Sequence, residues 1–368
     1  MKKTSPLQHP IRVLAFYDNK RGAWWNCFSN MQKKFSESVL FDFIEIYTNF
    51  NPQGYDYFLV PEAYLLPLVS SIPPAQIIGG SNCPLLFDSS HQAHKEGRFY
   101  AAMYNCELMY AKAHDMLPMV FYGPRGVDTD FFSPAALPPE TFTACWVGNS
   151  RSIGQKGLDL IKKACAIANV PLRYLDSAEC QHPLTHDQIR DQYYRKASVY
   201  VCASASEGTP NPALEALACG LPVITTRVGN MPELIVEGHN GIFIQRNVES
   251  IVDALHTVKS MDITVLRANA RDGVLNGWTW KEQTMRYEDA FKAIAASMGD
   301  RGNTTATLPN SYRKLLLLSG IRKALSGELA SGSHTLLRTV KYTAFWRMLR
   351  IIKKRLTALC LAQRKGNG

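Results

Sequence analysis

Two carboxylates and a lysine are the residues whose types and spacing suit chemistry best. Glu207 and Glu215 flank the polar stretch "EGTPNPALE", which follows the apolar run "VYVCA". Carboxylates accept paired hydrogen bonds from vicinal hydroxyls, so a sugar and a ribose are ligands that two such groups would suit. Asn211 as N-cap and Pro212 as first helical residue would start a helix whose free N–H groups favour phosphate or hydroxyl oxygens, in line with Gly208, Thr209 and Pro210 just before it. Gly220 and Pro222 would end it. Taken alone, the same pattern also fits a Glu215 that complements the helix dipole and a solvated Glu207.

The elements that must position these groups follow an α/β rhythm. Short β-rich runs alternate with helical patterns, which predicts two doubly wound parallel sheets of Rossmann type facing a cleft. In the first half the expected strands are 12–17, 41–46, 56–60, 84–88, 107–111 and 119–123, with a helix over 24–36. In the second half strands are expected at 143–147, 172–175, 199–202 and 223–225, with helices at 158–168, 187–196, 212–219, 251–259 and 280–296. The proline-rich "SPAALPPE" separates the halves, giving domains of 1–135 and 136–300 and a basic helical tail over 301–368.

The chain has 368 residues and a formal net charge of +10. The charge is uneven, for residues 301–368 hold 14 Lys and Arg against the single acid Glu328. Nine scattered cysteines, mostly in apolar stretches, read as reduced thiols of a cytoplasmic protein and not as a disulfide or zinc framework. No secretory leader and no run of about 20 apolar residues is expected.

The pattern Glu, seven residues, Glu, followed by "ALACGLPVI", resembles the signature of the retaining glycosyltransferase family four, of GT-B fold. Three further segments match in order: "YGPRGVDTDFFSP", "WVGNSRSIGQKGLDLI" and "VEGHNGIFI". The resemblance covers about residues 122–243 and fades across the first half. It implies a sugar transferase of bacterial surface polysaccharide assembly, with lipopolysaccharide, O-antigen or capsule as product class. Glu215 would hold the donor ribose, Glu207 the sugar hydroxyls, and Lys156 the diphosphate. The family usually has Arg where this chain has Asn149, and Arg151 lies two residues on. His91 matches the family histidine beside the reacting sugar, with His94 as its competitor. The nucleotide-sugar is then a substrate, and neither metal nor other cofactor is expected.

Asp18, Arg21 and Gly22, after the first strand, are candidates for the acceptor, or form an ordinary turn. Asp128 and Asp130 resemble the manganese motif of another glycosyltransferase fold but sit at the domain linker, and Pro183 separates His182 from His186. A sugar-nucleotide epimerase of the same fold and a non-catalytic membrane- or nucleic-acid-binding protein are the competing classes. In the tail, Arg338, Lys341, Arg347, Arg350, Lys353, Lys354 and Arg355 interleave with apolar side chains, and residues 311–362 are expected on the anionic inner face of the cell membrane and not on nucleic acid.

Overall fold

The computed structural model describes residues 9–298 apart from 19, 21, 47, 153, 154 and 181, so Arg21 and the basic tail, with its expected membrane surface over 311–362, lie outside the described residues. In the first half, β1 (Ile11–Tyr17) leads to α1 (Ala23–Gln32), β2 (Val39–Glu45), β3 (Tyr57–Leu59), β4 (Ile77–Ser81), α2 (Phe87–Lys95), β5 (Ala101–Tyr104), α3 (Glu107–His114) and β6 (Val120–Tyr122). The strands form one six-stranded sheet in the order β2-β1-β3-β4-β5-β6. Every pairing is parallel.

The second half runs β7 (Ala144–Gly148), α4 (Leu158–Ile167), β8 (Leu172–Asp176), α5 (His186–Gln192), β9 (Val199–Cys202), α6 (Asn211–Ala218), β10 (Val223–Thr225), α7 (Met231–Leu234), β11 (Gly241–Phe243), α8 (Val248–Ser260), α9 (Ile263–Leu275) and α10 (Trp280–Met298). Its sheet has the order β11-β10-β9-β7-β8, again all parallel. Cys145, Val147, Tyr200 and Cys202 enter one core, while Ala144, Trp146, Val199 and Val201 enter another on the opposite face. Burial on both faces is why these strands read as unbroken apolar runs.

Two expected strands are helical. Residues 84–88 form a 3-10 turn, Pro84–Leu86, running into α2, because Pro84 takes the first position of a helical turn and offers no N–H to a ladder. Residues 107–111 belong to α3. The strands that replace them lie one step earlier. β4 is "IIGGS", whose glycines mask it: a Cβ on Gly79 would lie 2.7 Å from the Phe99 ring, and Gly80, at φ +155°, packs against the Met103 carbonyl of β5.

α10 follows the second sheet in sequence but packs on the first, where Trp280, Tyr287, Ala290, Phe291 and Ile294 join the core of β1, β2 and α1. Glu288 pins it there. Its carboxylate accepts from the Ser36 amide at 3.0 Å, the Ser36 hydroxyl at 2.6 Å, the Ser38 hydroxyl at 2.8 Å and Lys292 Nζ at 2.6 Å. Against the opposing pull of burial, these donors bring the carboxyl down to about 2. A depressed folded pKa stabilises above the unfolded value, and that stability is lost as pH falls through the folded one. Glu288→Gln is therefore expected to cost about 2 kcal/mol at pH 7, and the gap between wild type and variant in denaturant melts should narrow from about pH 4.5 down towards 2.

The eight described cysteines are free. Among the described residues no helix is long and apolar enough to cross a membrane.

Candidate active site

Each sheet reverses its strand order once, and ligands of open α/β sheets bind beyond the strand carboxyl ends at such a point. In the second sheet the reversal lies between β7 and β9. The loops that follow these two strands, 149–157 and 203–210, carry most of the donor-site candidates.

The loops are locked together. Ala205 N–H donates to the Gln155 carbonyl at 3.2 Å, and Arg246 donates from Nε to the Ala203 carbonyl at 3.1 Å and from a terminal nitrogen to Gln155 at 3.2 Å. Gly157, at φ +73°, starts α4 with no room for a Cβ, which would lie 2.9 Å from that of Ala203. Lys156 is thereby held opposite Glu207, and its ammonium is paired to Glu207 Oε1. Ser204 Oγ donates to the same oxygen at 2.7 Å. The two charged side chains are only 21% and 10% exposed, so the pair is partly desolvated.

The start of α6 is shifted by one residue from the expected position. Asn211 is the first helical residue and Pro210 the N-cap, with no side-chain cap, because Pro212 fits either of the first two helical positions. Glu215 lies one turn in, where Tyr194 donates its hydroxyl to Oε2 at 2.7 Å. Burial pushes the Glu215 carboxyl up to about 7, with the Tyr194 hydrogen bond acting the other way. A carboxyl poised there changes its acceptor capacity near neutral pH.

Gly208 and Thr209 do different work from Glu207. Thr209 Oγ1 accepts from Asn105 Nδ2 of the first half at 3.2 Å and from Asn230 Nδ2 at 3.1 Å. The Gly208 backbone is wedged between Asn82 and Gly229, and its carbonyl accepts from Asn230 N–H at 3.1 Å. Asn82 N–H in turn donates at 3.0 Å to Glu62, whose other oxygen accepts from Ser81 Oγ at 3.0 Å. A second clasp joins the halves through Glu233, which accepts from Glu107 N–H at 2.8 Å and from the Tyr122 hydroxyl.

Asn149 is exposed, and its Oδ1 accepts the Arg151 amide at 3.0 Å. Arg151 is exposed too. Asp176 fixes this turn by accepting from Ser150 and Ala178 amides, each at 3.0 Å. Burial opposes its ionisation, but these hydrogen bonds outweigh it and hold the carboxyl below its ordinary value. His91, half-buried on α2, stacks on Phe87 with ring centroids 5.4 Å apart, whereas His94 turns into the core against Phe99 at 4.9 Å. Burial, then Lys95 and Lys112, lowers the His91 pKa, which favours a neutral ring. Asp18 is exposed and Gly22 half-buried at the start of α1.

Asp128 spends Oδ1 on the amides of Asp130 and Phe131, at 3.2 and 3.0 Å, and so builds the linker turn. His186 opens α5 behind the Thr185 cap, with its ring 6.4 Å from that of Phe131. Among the described residues no group of three or more His, Cys, Asp and Glu is placed to hold a metal ion. Sequence reasoning missed Ser204, Tyr194, Arg246, Asn105 and Asn230. None of the five stands in a context that signals its partner: Tyr194, whose buried hydroxyl needs one, lies in the polar stretch "RDQYYRK".

Residues 176–260 match the family description "Glycosyl transferases group 1". A D-inositol 3-phosphate glycosyltransferase of Streptomyces bingchenggensis is 45% identical over 62 residues, 17% of this chain and 13% of its own length. That of Pseudarthrobacter chlorophenolicus is 26% identical over 216 residues, 48% of this chain and 51% of its own. The gpi3 subunit of phosphatidylinositol N-acetylglucosaminyltransferase from Schizosaccharomyces pombe is 28% identical over 123 residues, 33% and 26% of the two chains. The chain thus spans at most about half the length of these curated relatives.

Among solved structures, sucrose-phosphate synthase from Thermosynechococcus elongatus superposes with a TM-score of 0.63 at 12% identity, covering 78% of this chain and 100% of its own. HepE of Anabaena, solved with UDP and glucose, gives 0.59 at 12% identity, covering 77% and 100%. At such identities the likeness shows the fold. The described chain has two Rossmann-like parallel-sheet domains of GT-B type, and residues 176–260 are where it matches the glycosyl transferases group 1 description.

Proposed function

We propose that this protein transfers a sugar from a nucleoside diphosphate sugar to a saccharide or lipid-linked acceptor, retaining the anomeric configuration. The observation that carries the reading is the partly buried Lys156–Glu207 pair at the switch point of the second sheet, one loop from the Tyr194–Glu215 pair, with Glu207, Tyr194 and Glu215 inside the segment that matches the family. In this reading Glu215 accepts the ribose hydroxyls and Glu207 those of the sugar, while Lys156 and the start of α6 at Pro210, Asn211 and Pro212 face the diphosphate. Arg151 supplies a further positive charge beside Asn149. Neighbours of the same fold are named for complexes with UDP and glucose and with UDP and α-GlcNAc-glycerol, which favours a donor of this class.

The bond from the anomeric carbon to the diphosphate oxygen breaks as the acceptor oxygen attacks on the same face, and the departing phosphate takes the acceptor proton. Such a route asks little of a protein base and much of electrostatic stabilisation of the leaving group. Neutral His91 borders the reacting sugar, and Asp18, Arg21 and Gly22 border the acceptor. Assembly of bacterial surface polysaccharide, such as lipopolysaccharide or capsule, is the proposed setting. The basic segment 311–362 would hold the enzyme peripherally on the cytoplasmic face of the membrane.

The reading includes transfer without a metal, since a lysine and a helix start can do what a cation does elsewhere. Release of nucleoside diphosphate, followed with acceptor present, should persist in EDTA. Complete loss in EDTA, restored by manganese, would overturn that part and return Asp128 and Asp130 to the site.

A further inference from the structure

Glu62 stands three residues beyond β3 and is 4% exposed, too enclosed to hold a substrate itself. Both of its oxygens serve the turn that follows β4. Oε1 accepts from the Asn82 amide and Oε2 from the Ser81 hydroxyl, each at 3.0 Å. Ser81 is fully buried, and its hydroxyl also lies within reach of the Cys83 carbonyl, at 3.0 Å. A carboxyl so deeply placed is tolerated because its oxygens are satisfied there. Burial pushes it up to about 7, while the Asn82 and Ser81 hydrogen bonds, and then Arg125 beyond β6, act the other way.

The turn that Glu62 fixes is where the first half meets the Glu207 loop. The Asn82 carbonyl packs on the Gly208 backbone with no room for a Cβ between them. Asn105 Nδ2 lies 3.5 Å from the same carbonyl oxygen and donates to Thr209 Oγ1 at 3.2 Å. Gly208 is backed in turn by Gly229, and its own carbonyl accepts from the Asn230 amide at 3.1 Å. The loop is thus gripped on both sides, one residue from Glu207. The Cys83 thiol feels both Glu62 and Glu207, so carboxylates of opposite halves approach one side chain.

This clasp depends on shape and not on charge. A neutral carboxyl still accepts from Asn82 and can donate from its other oxygen to Ser81 Oγ, whose proton then turns to the Cys83 carbonyl. A glutamine amide can make the same bonds, and an alanine can make neither.

From this geometry we infer that Glu62 is a positioning residue for transfer, which fixes the turn at Ser81 and Asn82 and through it seats Gly208, Thr209 and hence Glu207 across the cleft. Its part in transfer rests on the proposed function, but the seating of the loop does not.

Glu62→Ala and Glu62→Gln are compared with wild type as full chains, by hydrogen exchange and by turnover. In Glu62→Ala, segment 204–211 and the Asn230 amide should exchange at least about tenfold faster, while β1, β2 and α1, which lie outside the clasp, keep their protection. Release of UDP or GDP from their hexose sugars, with acceptor present, should fall at least about tenfold in kcat. Affinity for UDP or GDP alone should stay within about twofold of wild type, because Lys156 and Glu215 are not seated by this turn. Glu62→Gln should bring exchange and kcat back to within about threefold of wild type, since its amide rebuilds the clasp. Ser81→Ala, which removes one of the two donors and adds no bulk, repeats the exchange test should Glu62→Ala not fold. Unchanged exchange over 204–211 in the truncating variants, a rise spread equally over β1, β2 and α1, or a Glu62→Gln protein that behaves like Glu62→Ala each overturns the inference. A wild type that releases neither UDP nor GDP would count against the transfer reading, and the exchange result would still decide whether Glu62 seats the loop.

Discussion

Lys156→Ala is expected to cut sugar transfer at least about tenfold and to weaken the fold itself. The ammonium is paired with Glu207, and both side chains are largely sequestered. Charge-assisted contacts of this kind are worth about 1.5–3 kcal/mol, and a tenfold loss corresponds to about 1.4 kcal/mol. Removing one member of a buried pair also strands the other. Glu207 would keep only the Ser204 hydroxyl, at 2.7 Å, so a stability loss of about 2–4 kcal/mol is expected, below the full figure for a wholly buried pair because Lys156 retains some exposure. Glu215→Ala should also cut transfer at least about tenfold. Initial rates of nucleoside diphosphate release and denaturant melts check both effects. Folded Lys156→Ala and Glu215→Ala proteins that both turn over at the wild-type rate would show that the donor site is misplaced.

Gly208→Ala should be at least as damaging to transfer, through position and not charge. A Cβ there would lie 2.7 Å from the Asn82 carbonyl carbon, closer still to its oxygen, and 2.8 Å from Asn105 Nδ2. Real side chains do not tolerate such approaches to backbone, and Asn82 cannot retreat freely because its amide is held by Glu62. The loop that carries Glu207 must therefore shift against the first half, breaking the Asn105–Thr209 contact. A displacement of about 1 Å in a reacting constellation can cost on the order of 100-fold in rate, and that is the expected loss. Steady-state kinetics of a variant shown by melting to be folded would test it. A kcat/KM within twofold of wild type would mean that the contact across the halves is not part of the working geometry.

The second sheet and its loops are legible in the sequence because its central strands β7, β9 and β10 are buried on both faces. "TACWVG" and "VYVCA" are unbroken apolar runs, and the Glu207 to Glu215 spacing sits between one such run and a helix with clear start and stop residues. The first sheet was harder. β4 carries two glycines because β5 and Phe99 press against it, so its apolar signal is short and the neighbouring "PLLFD" looks more strand-like. The return of α10 to the first core was invisible for a different reason. Its apolar stripe is plain, but a stripe does not say which sheet it covers, and that choice is made by Ser36, Ser38 and the first-half core.

Within the site, residue types were readable and partners were not. Lys156 and Glu207 are 51 positions apart, and the docking of their two loops, through Gly157 on Ala203, Ala205 on Gln155 and Arg246 on both, brings them together. Thr209 falls among the expected donor-binding residues through its backbone, because it lies between Glu207 and Glu215. The structure spends its hydroxyl on Asn105 and Asn230, which join the halves. Asn105 follows β5, in the stretch where the strand rhythm points to the neighbouring α3 segment instead, so its arrival at Thr209 has no sequence signal.

The central claim is that the switch point of the second sheet binds a nucleoside diphosphate sugar through Lys156 and Glu215. A thermal-shift panel of UDP, GDP and dTDP sugars on wild type, Lys156→Ala and Glu215→Ala tests it most directly, because a ligand that binds only the folded state at 100 times its Kd adds about 2.7 kcal/mol of stability. The account predicts that at least one sugar nucleotide raises the wild-type melting temperature and that both variants lose most of that rise. A panel in which no sugar nucleotide shifts the wild type, or in which the variants shift as much as it does, would contradict it.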